Sequence, residues 1–156
     1  MKLNLKTPPK IGTFLAIAIV ALCGGRSAAD QEPGTQIQTL DGGRWRLTEW
    51  QLENASPQDF DISLDFEKGR ISGRSAVNRY MGGYQADGEG SFSTGMLAGT
   101  MMAGPEPAMK AEQDYRSLLQ RANRFRIVEN TLLLIEEKED EEQILLRFRP
   151  QPEDAK

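Results

Sequence analysis

From residue 61 to residue 67 the chain alternates strictly. Ile62, Leu64 and Phe66 are apolar, while Asp61, Ser63, Asp65 and Glu67 are polar. A period of two puts one set of side chains on a buried face and the other in water, which predicts a half-buried strand. Glu67-Lys68-Gly69 predicts a hairpin turn with Gly69 at positive φ, and residues 70–76 its return strand. Upstream, Trp45 and Leu47 share one parity and Trp50 and Leu52 the other, so a strand over 44–52 should carry a bulge or a bend. Ser56-Pro57 marks a turn within 54–58. Residues 82–87 and 91–97 read as short strands, separated by Gly88 and Gly90. The closing strands are expected over 125–128, 131–136 and 143–149, with Glu129-Asn130 as a two-residue turn suited to a left-handed Asn.

Only residues 105–123 show a helical period. Ala111, Tyr115, Leu118, Leu119 and Ala122 form one stripe, the expected core-facing side of a helix. Pro107 suits the first turn. Glu106 and Glu112 lie towards the positive end of the helix, and Arg121 and Arg124 at the negative end. The segment 136–142 (EEKEDEE) reads as a solvated acidic hairpin tip, because it lacks the Asp/Asn spacing and central Gly of a calcium loop. Short sequential strands joined by turns favour a mainly β (α+β) fold. The expectation is a small antiparallel meander of about eight strands curled into an open barrel, with one helix inserted before the last three strands.

The N-terminus changes where this domain should work. Lys2, Lys6 and Lys10 precede an apolar stretch over 11–23, too short to span a membrane, and Ser27-Ala28-Ala29 offers small residues before Asp30. This pattern predicts a signal peptide over 1–29. A flexible leader over 30–39, a domain over 40–150 and a disordered tail over 151–156 would follow. Val20-Ala21-Leu22-Cys23 is the competing signal, a lipoprotein box in which Cys23 would be acylated. Leu22 occupies a position where such boxes usually hold a small residue, so cleavage after Ala29 is favoured. An exported location follows, periplasmic or associated with the outer membrane.

Composition then narrows the chemistry. The 156-residue chain carries 19 basic and 23 acidic side chains, a net charge of −4. Cleavage after Ala29 would remove four basic residues and no acidic one, leaving 127 residues at 15 − 23 = −8. That balance argues against a nucleic-acid backbone or an anionic lipid surface as partner. There is no histidine, and the single cysteine lies in the expected signal. His-based triads, Cys nucleophiles and zinc sites built on Cys or His are therefore excluded from the mature domain. No enzymatic activity, cofactor or metal is expected, and the domain is expected to be a monomer.

Three segments carry a resemblance. Leu40 to Leu47 (LDGGRWRL) is similar to the opening Leu-x-Gly-x-x-Trp-x-Leu of the META domain (HslJ-like) family. Residues 73–84 (GRSAVNRYMGGY) resemble that family's Gly-rich loop, in which Gly-Cys-Asn precedes an aromatic residue and a Gly; here the triplet is Ala76-Val77-Asn78. Residues 97–104 (LAGTMMAG) are similar to the family's Leu-Ala-x-Thr-x-Met-x-Cys stretch, and Met109-x-x-Glu112 to the start of its helix. Both positions where many members carry Cys are replaced, by Val77 and Gly104, as expected if those cysteines pair in relatives. The resemblance implies a small β domain of the bacterial envelope linked to stress or antibiotic tolerance, with no established reaction.

The candidate contact residues are Asn78, Arg79, Tyr80, Thr100, Met101 and Met102. Arg79 and Tyr80 offer a planar donor fork and an aromatic face to a partner. The competing reading is architectural: Asn78 bonds nearby backbone, Tyr80 packs on the helix, and the two methionines fill the barrel mouth. Asp59, Asp61, Asp65, Glu106 and Glu112 supply the carboxylates for acid–base chemistry, but nothing in the sequence brings two of them together. The expected partner is an envelope protein or a small apolar ligand. The leading expectation is a non-enzymatic partner-binding module. An apolar-ligand carrier or pilotin-like secretion chaperone, and a peptidase inhibitor, are the alternatives.

Overall fold

A computed structural model describes residues 40–52, 55–139 and 141–152. The expected signal with Cys23, the leader over 30–39 and residues 153–156 of the tail lie outside the described residues. Among the described residues nine strands and one α-helix follow one another: β1 (Arg44–Trp50), β2 (Ser63–Glu67), β3 (Arg70–Ser75), β4 (Asn78–Ala86), β5 (Phe92–Thr94), β6 (Ala98–Gly99), α1 (Glu106–Arg121), β7 (Arg124–Val128), β8 (Thr131–Lys138) and β9 (Glu141–Pro150). All named strand pairings are antiparallel, in the order β5-β4-β3-β2-β1-β9-β8-β7, with the short β6 also on β4.

The two ends of this order meet. The Phe92 amide donates to the Asn123 carbonyl at 2.9 Å and the Phe125 amide to the Gly90 carbonyl at 2.8 Å, and Ser91 bridges Arg124. The sheet is thus a nearly closed barrel, with α1 inserted before the last three strands. Closing a sheet removes the unpaired edges that would otherwise invite aggregation.

The alternating positions of β2 behave as their period requires: Leu64 and Phe66 are buried and Ser63 and Asp65 half-buried. The bulge expected in β1 lies between Leu47 and Glu49, where its register on β9 shifts by one residue. After it Trp50 is half-buried at the margin of the core, lies tilted at 41° against Phe60 with ring centres 6.2 Å apart, and donates its indole N–H to the Ala55 carbonyl at 2.8 Å. Both hairpin turns expected from the sequence have left-handed residues, at Lys68 (φ 50°) and Gly69 (φ 75°) and at Glu129 (φ 47°) and Asn130 (φ 63°).

Three local expectations are corrected. Residues 73–84 are not a loop: β3 runs to Ser75, Ala76 and Val77 turn the chain, and β4 begins at Asn78. The hairpin was concealed because β4 buries Asn78 and Tyr80 rather than aliphatic residues. The strand expected over 91–97 is reduced to the short β5, and the two-residue β6 follows just beyond it. The acidic 136–142 segment is not solvated throughout, since both strands extend into it and Glu136 is 6% exposed. Arg121 and Lys138 both contact the Glu136 carboxylate, and the Arg121 hydrogen bond, followed by that of Lys138, holds its pKa down at about 2.

The core lies inside the barrel and beneath the helix. Tyr80, Tyr115, Phe66 and Phe148 are its largest fully or nearly fully buried side chains, joined by Leu64, Leu119, Leu132 and Leu134. The helical stripe Ala111, Tyr115, Leu118 and Leu119 faces this core, and so does a polar residue, Glu112.

Candidate functional site

The first residue of β4, Asn78, lies 2% exposed where the hairpin, the helix and the segment 100–102 meet. Its Oδ1 accepts from the Thr100 hydroxyl at 2.7 Å and from the Met102 amide at 2.8 Å. Its Nδ2 donates to the Met102 carbonyl at 3.1 Å and to Glu112 Oε1 at 3.2 Å. A side-chain amide has two donor and two acceptor positions, and here all four are filled. Met102 N–H can only donate and its carbonyl only accept, so the amide has one orientation. The Asn78 main chain adds a bond from its N–H to Glu112 Oε2 at 2.9 Å and one from the Ser75 hydroxyl to its carbonyl at 3.1 Å.

Arg116 extends the clasp. It lies 4.0 Å from Glu112 Oε1 and donates to the Leu97 carbonyl at 2.7 Å. The strap from residue 97 to residue 102 is therefore fastened to α1 at one end, through Arg116, and to β4 at the other, through Asn78. Thr100 closes the middle: its hydroxyl accepts from the Arg79 amide at 3.2 Å, and its own amide donates to the Arg79 carbonyl at 3.0 Å.

Tyr80 is the next inward residue of β4. Its hydroxyl lies 2.9 Å from the Ser63 carbonyl and 2.7 Å from the Tyr115 hydroxyl. The carbonyl can only accept, so the single Tyr80 proton goes there and Tyr115 donates to Tyr80. Burial, reinforced by each other's proximity, raises the Tyr80 pKa well above the ordinary phenol value, and burial also raises that of Tyr115. Neither phenol ionises near neutral pH. Gly73 makes room for this contact: a Cβ there would lie 2.1 Å from the Ser63 carbonyl oxygen and 3.1 Å from the Tyr80 hydroxyl.

Val77 and Gly104 face each other across the same junction. A Cβ at Gly104 would stand 2.6 Å from Val77 Cγ2 and 3.4 Å from Val77 Cβ. Side chains at these two positions compete for one space.

The candidate residues thus divide. Asn78 and Tyr80 are buried in the framework. Arg79 and Thr100 are exposed. Met101 and Met102 do not fill the barrel mouth but stand 98% and 56% exposed. Phe66, Tyr80 and Tyr115 already occupy the interior. Met81, Met96 and Met109 are also exposed, at 53%, 92% and 37%, so every methionine after Met1 faces solvent. Past Met109 a surface depression of about 900 Å³ runs along α1 beside Lys110, Gln113, Arg116 and Gln120.

The carboxylates do not form an acid–base pair. Asp61 bonds Arg46 and Arg74, whereas Glu112 serves Asn78. Asp61 and Asp65 share a strand face but stand four residues apart, about 13 Å in extended chain, beyond the spacing of paired catalytic carboxylates. No group of three or more His, Cys, Asp or Glu side chains able to hold a metal occurs among the described residues. Glu112 and Tyr115 are the members of this junction that sequence reasoning missed as site residues. Their signal was present: 112, 115, 119 and 122 continue the buried helical stripe, so Glu112 had to be an inward-facing carboxylate.

This mainly β barrel with a clasped helix defines a class that comparison with known proteins identifies. The sequence profile of the META domain matches residues 38–151, and the chain belongs to that family. A protein from Burkholderia xenovorans solved by NMR is similar at 25% identity and TM-score 0.55, covering 85% of this chain and 99% of that one. A crystal structure of a DUF4847 family protein from Bacteroides vulgatus shares the fold at 14% identity and TM-score 0.53, covering 74% of this chain and 96% of its own. No curated protein matches.

Proposed function

We propose that this is an exported, non-enzymatic envelope protein whose META domain docks a partner protein in support of envelope stress or antibiotic tolerance. The observation that carries the docking reading is the methionine display. Met101 and Met102 project from a strap whose backbone is pinned by Asn78, Thr100 and Arg116, and Met81, Met96 and Met109 are exposed as well. Methionine is unbranched and polarisable, so such side chains on a fixed backbone can mould themselves to an apolar partner surface. The export reading rests on the basic, apolar and small-residue succession of residues 1–29, and the non-enzymatic reading on the absence of histidine and of cysteine after Cys23. An interior carrier is less well supported, because aromatic side chains fill the barrel.

The test is photo-crosslinking in cells, with a photoreactive residue at position 101 or, as control, at position 128, where Val128 is exposed on β7. The expected result is a discrete protein adduct at 101 that is absent at 128 and is lost with Met102→Lys. Equal adducts at both sites, no adduct at either, or substrate turnover by the purified domain would overturn the reading. Intact mass of the exported form should give the 127-residue species that begins at Asp30.

A further inference from the structure

The outer face of the barrel holds a second surface. Arg79 on β4 lies directly opposite Arg74 on β3. The Arg74 amide bonds the Ser63 hydroxyl on β2 at 3.1 Å, Ser63 stands opposite Arg46 on β1, and Arg46 opposite Arg149 on β9. Four arginines therefore form one row across five adjacent strands, about 19 Å long at the usual strand spacing. Like charges directly opposed across strands destabilise a sheet. Among the described residues only Asp61 offsets this row, at 3.2 Å from Arg46 and 3.4 Å from Arg74. Arg79 makes no ion pair among the described residues. The chain is acidic overall, so this row does not follow from bulk composition.

Beside the row runs a groove of about 420 Å³, within the size range of small-ligand sites, lined by Arg44, Asp65, Ser72, Arg74, Arg79 and Met81. Its needs are complementary. Arg74 and Arg79 present donors that match an acid group. Asp65 Oδ1 is buried with no hydrogen-bond partner, and the half-exposed Arg44 stands 3.9 Å away, too far to donate to it. Burial raises the Asp65 pKa, against the pull of Arg44. A hydroxyl that reached Oδ1 as Arg44 swung aside would satisfy it. An ammonium group is a poorer match, because three arginines face two aspartates in this groove. A nucleotide is also poorly matched, because among the described residues no aromatic side chain is an exposed large apolar residue on which a base would stack.

We propose that this groove binds an acidic sugar, a pyranose bearing one carboxylate or phosphate, with its acid group on Arg74 and Arg79 and a ring hydroxyl donating to Asp65. The groove adjoins the methionine display, since Met81 borders both, but the proposal does not rest on the docking function. The experiment is an NMR titration of the domain at fixed ionic strength with glucuronate, glucose 6-phosphate, glucose, inorganic phosphate and glycine. The first two should saturate and shift the amides of Ser72, Arg74 and Arg79. Glucose, phosphate and glycine should each bind at least about tenfold more weakly, since each lacks one of the two matched groups. Arg79→Gln, an exposed change, should weaken glucuronate by at least about tenfold, while Arg149→Gln outside the groove should leave it within about twofold. Comparable binding of inorganic phosphate, indifference to Arg79→Gln, or no saturable shift with either acidic sugar would overturn the proposal.

Discussion

Adding one methyl group to Gly104 should cost stability only while Val77 is present. The new Cβ would lie 2.6 Å and 3.0 Å from the two Val77 methyl carbons, about an ångström inside ordinary carbon–carbon contact. Overpacking of this size costs about 1–3 kcal/mol. Gly104 does not adopt a positive φ, so nothing in its backbone opposes alanine. With Val77→Ala the two close methyls vanish, and Gly104→Ala should become neutral or gain about 0.4–1 kcal/mol from the restricted unfolded chain. Urea unfolding of the four proteins of this cycle, followed by the fluorescence of Trp45 and Trp50, gives the coupling directly. A coupling of at least about 1 kcal/mol is expected. Additivity within about 0.5 kcal/mol would refute the reasoning. The same closeness has a covalent form. The 3.4 Å between the Val77 Cβ and a Cβ at Gly104 lies at the short edge of disulfide geometry. Val77→Cys with Gly104→Cys should therefore oxidise readily, and closing the intervening loop should stabilise the oxidised protein over the reduced one by about 3–4 kcal/mol.

The tyrosine pair and Glu136 give two further expectations. Tyr80→Phe orphans both the Ser63 carbonyl and the Tyr115 hydroxyl, and should cost about 1–3 kcal/mol in urea unfolding. Tyr115→Phe leaves the Tyr80–Ser63 bond intact and should cost less; the reverse order would contradict the assigned donor direction. The Glu136 pKa is depressed from 4.5 to about 2, first by Arg121 and then by Lys138. Its contribution to stability is therefore complete above pH 4.5 and is lost as pH falls from there through about 2. Glu136→Gln should flatten the decline of stability in that window, as read by thermal unfolding from pH 5 downward; an unchanged slope would contradict the assignment.

The strands that bury aliphatic residues were legible in the chain. The alternation around Leu64, the parity switch at Thr48, and the turns at Lys68-Gly69 and Glu129-Asn130 each report a local preference the structure respects. What was hidden has polar residues on buried faces. Asn78 opens β4 facing inward, and hydrophobic periodicity reads an inward Asn as a loop. Glu112 and Glu136 are carboxylates whose burial depends on partners distant in sequence, Asn78 for one and Arg121 for the other. Barrel closure depends on main-chain bonds at Gly90 and Asn123, which carry no side-chain signature. The arginine row is also non-local: its members are scattered from Arg46 to Arg149, and only the strand register aligns them. For the candidate site, the sequence located the right segments, but it did not separate the residues that hold the junction from those that face solvent.

The central claim is that Asn78 is a clasp that fixes the methionine strap to the barrel and helix. Amide hydrogen exchange at Met102, in the native chain and in Asn78→Ala, tests it most directly, with the Leu134 amide in β8 as reference. The clasp predicts that Met102 loses at least about tenfold in protection relative to Leu134 when the side chain is removed. Met102 protection that stays in step with Leu134 would show that the strap is held by something else, and would contradict the account.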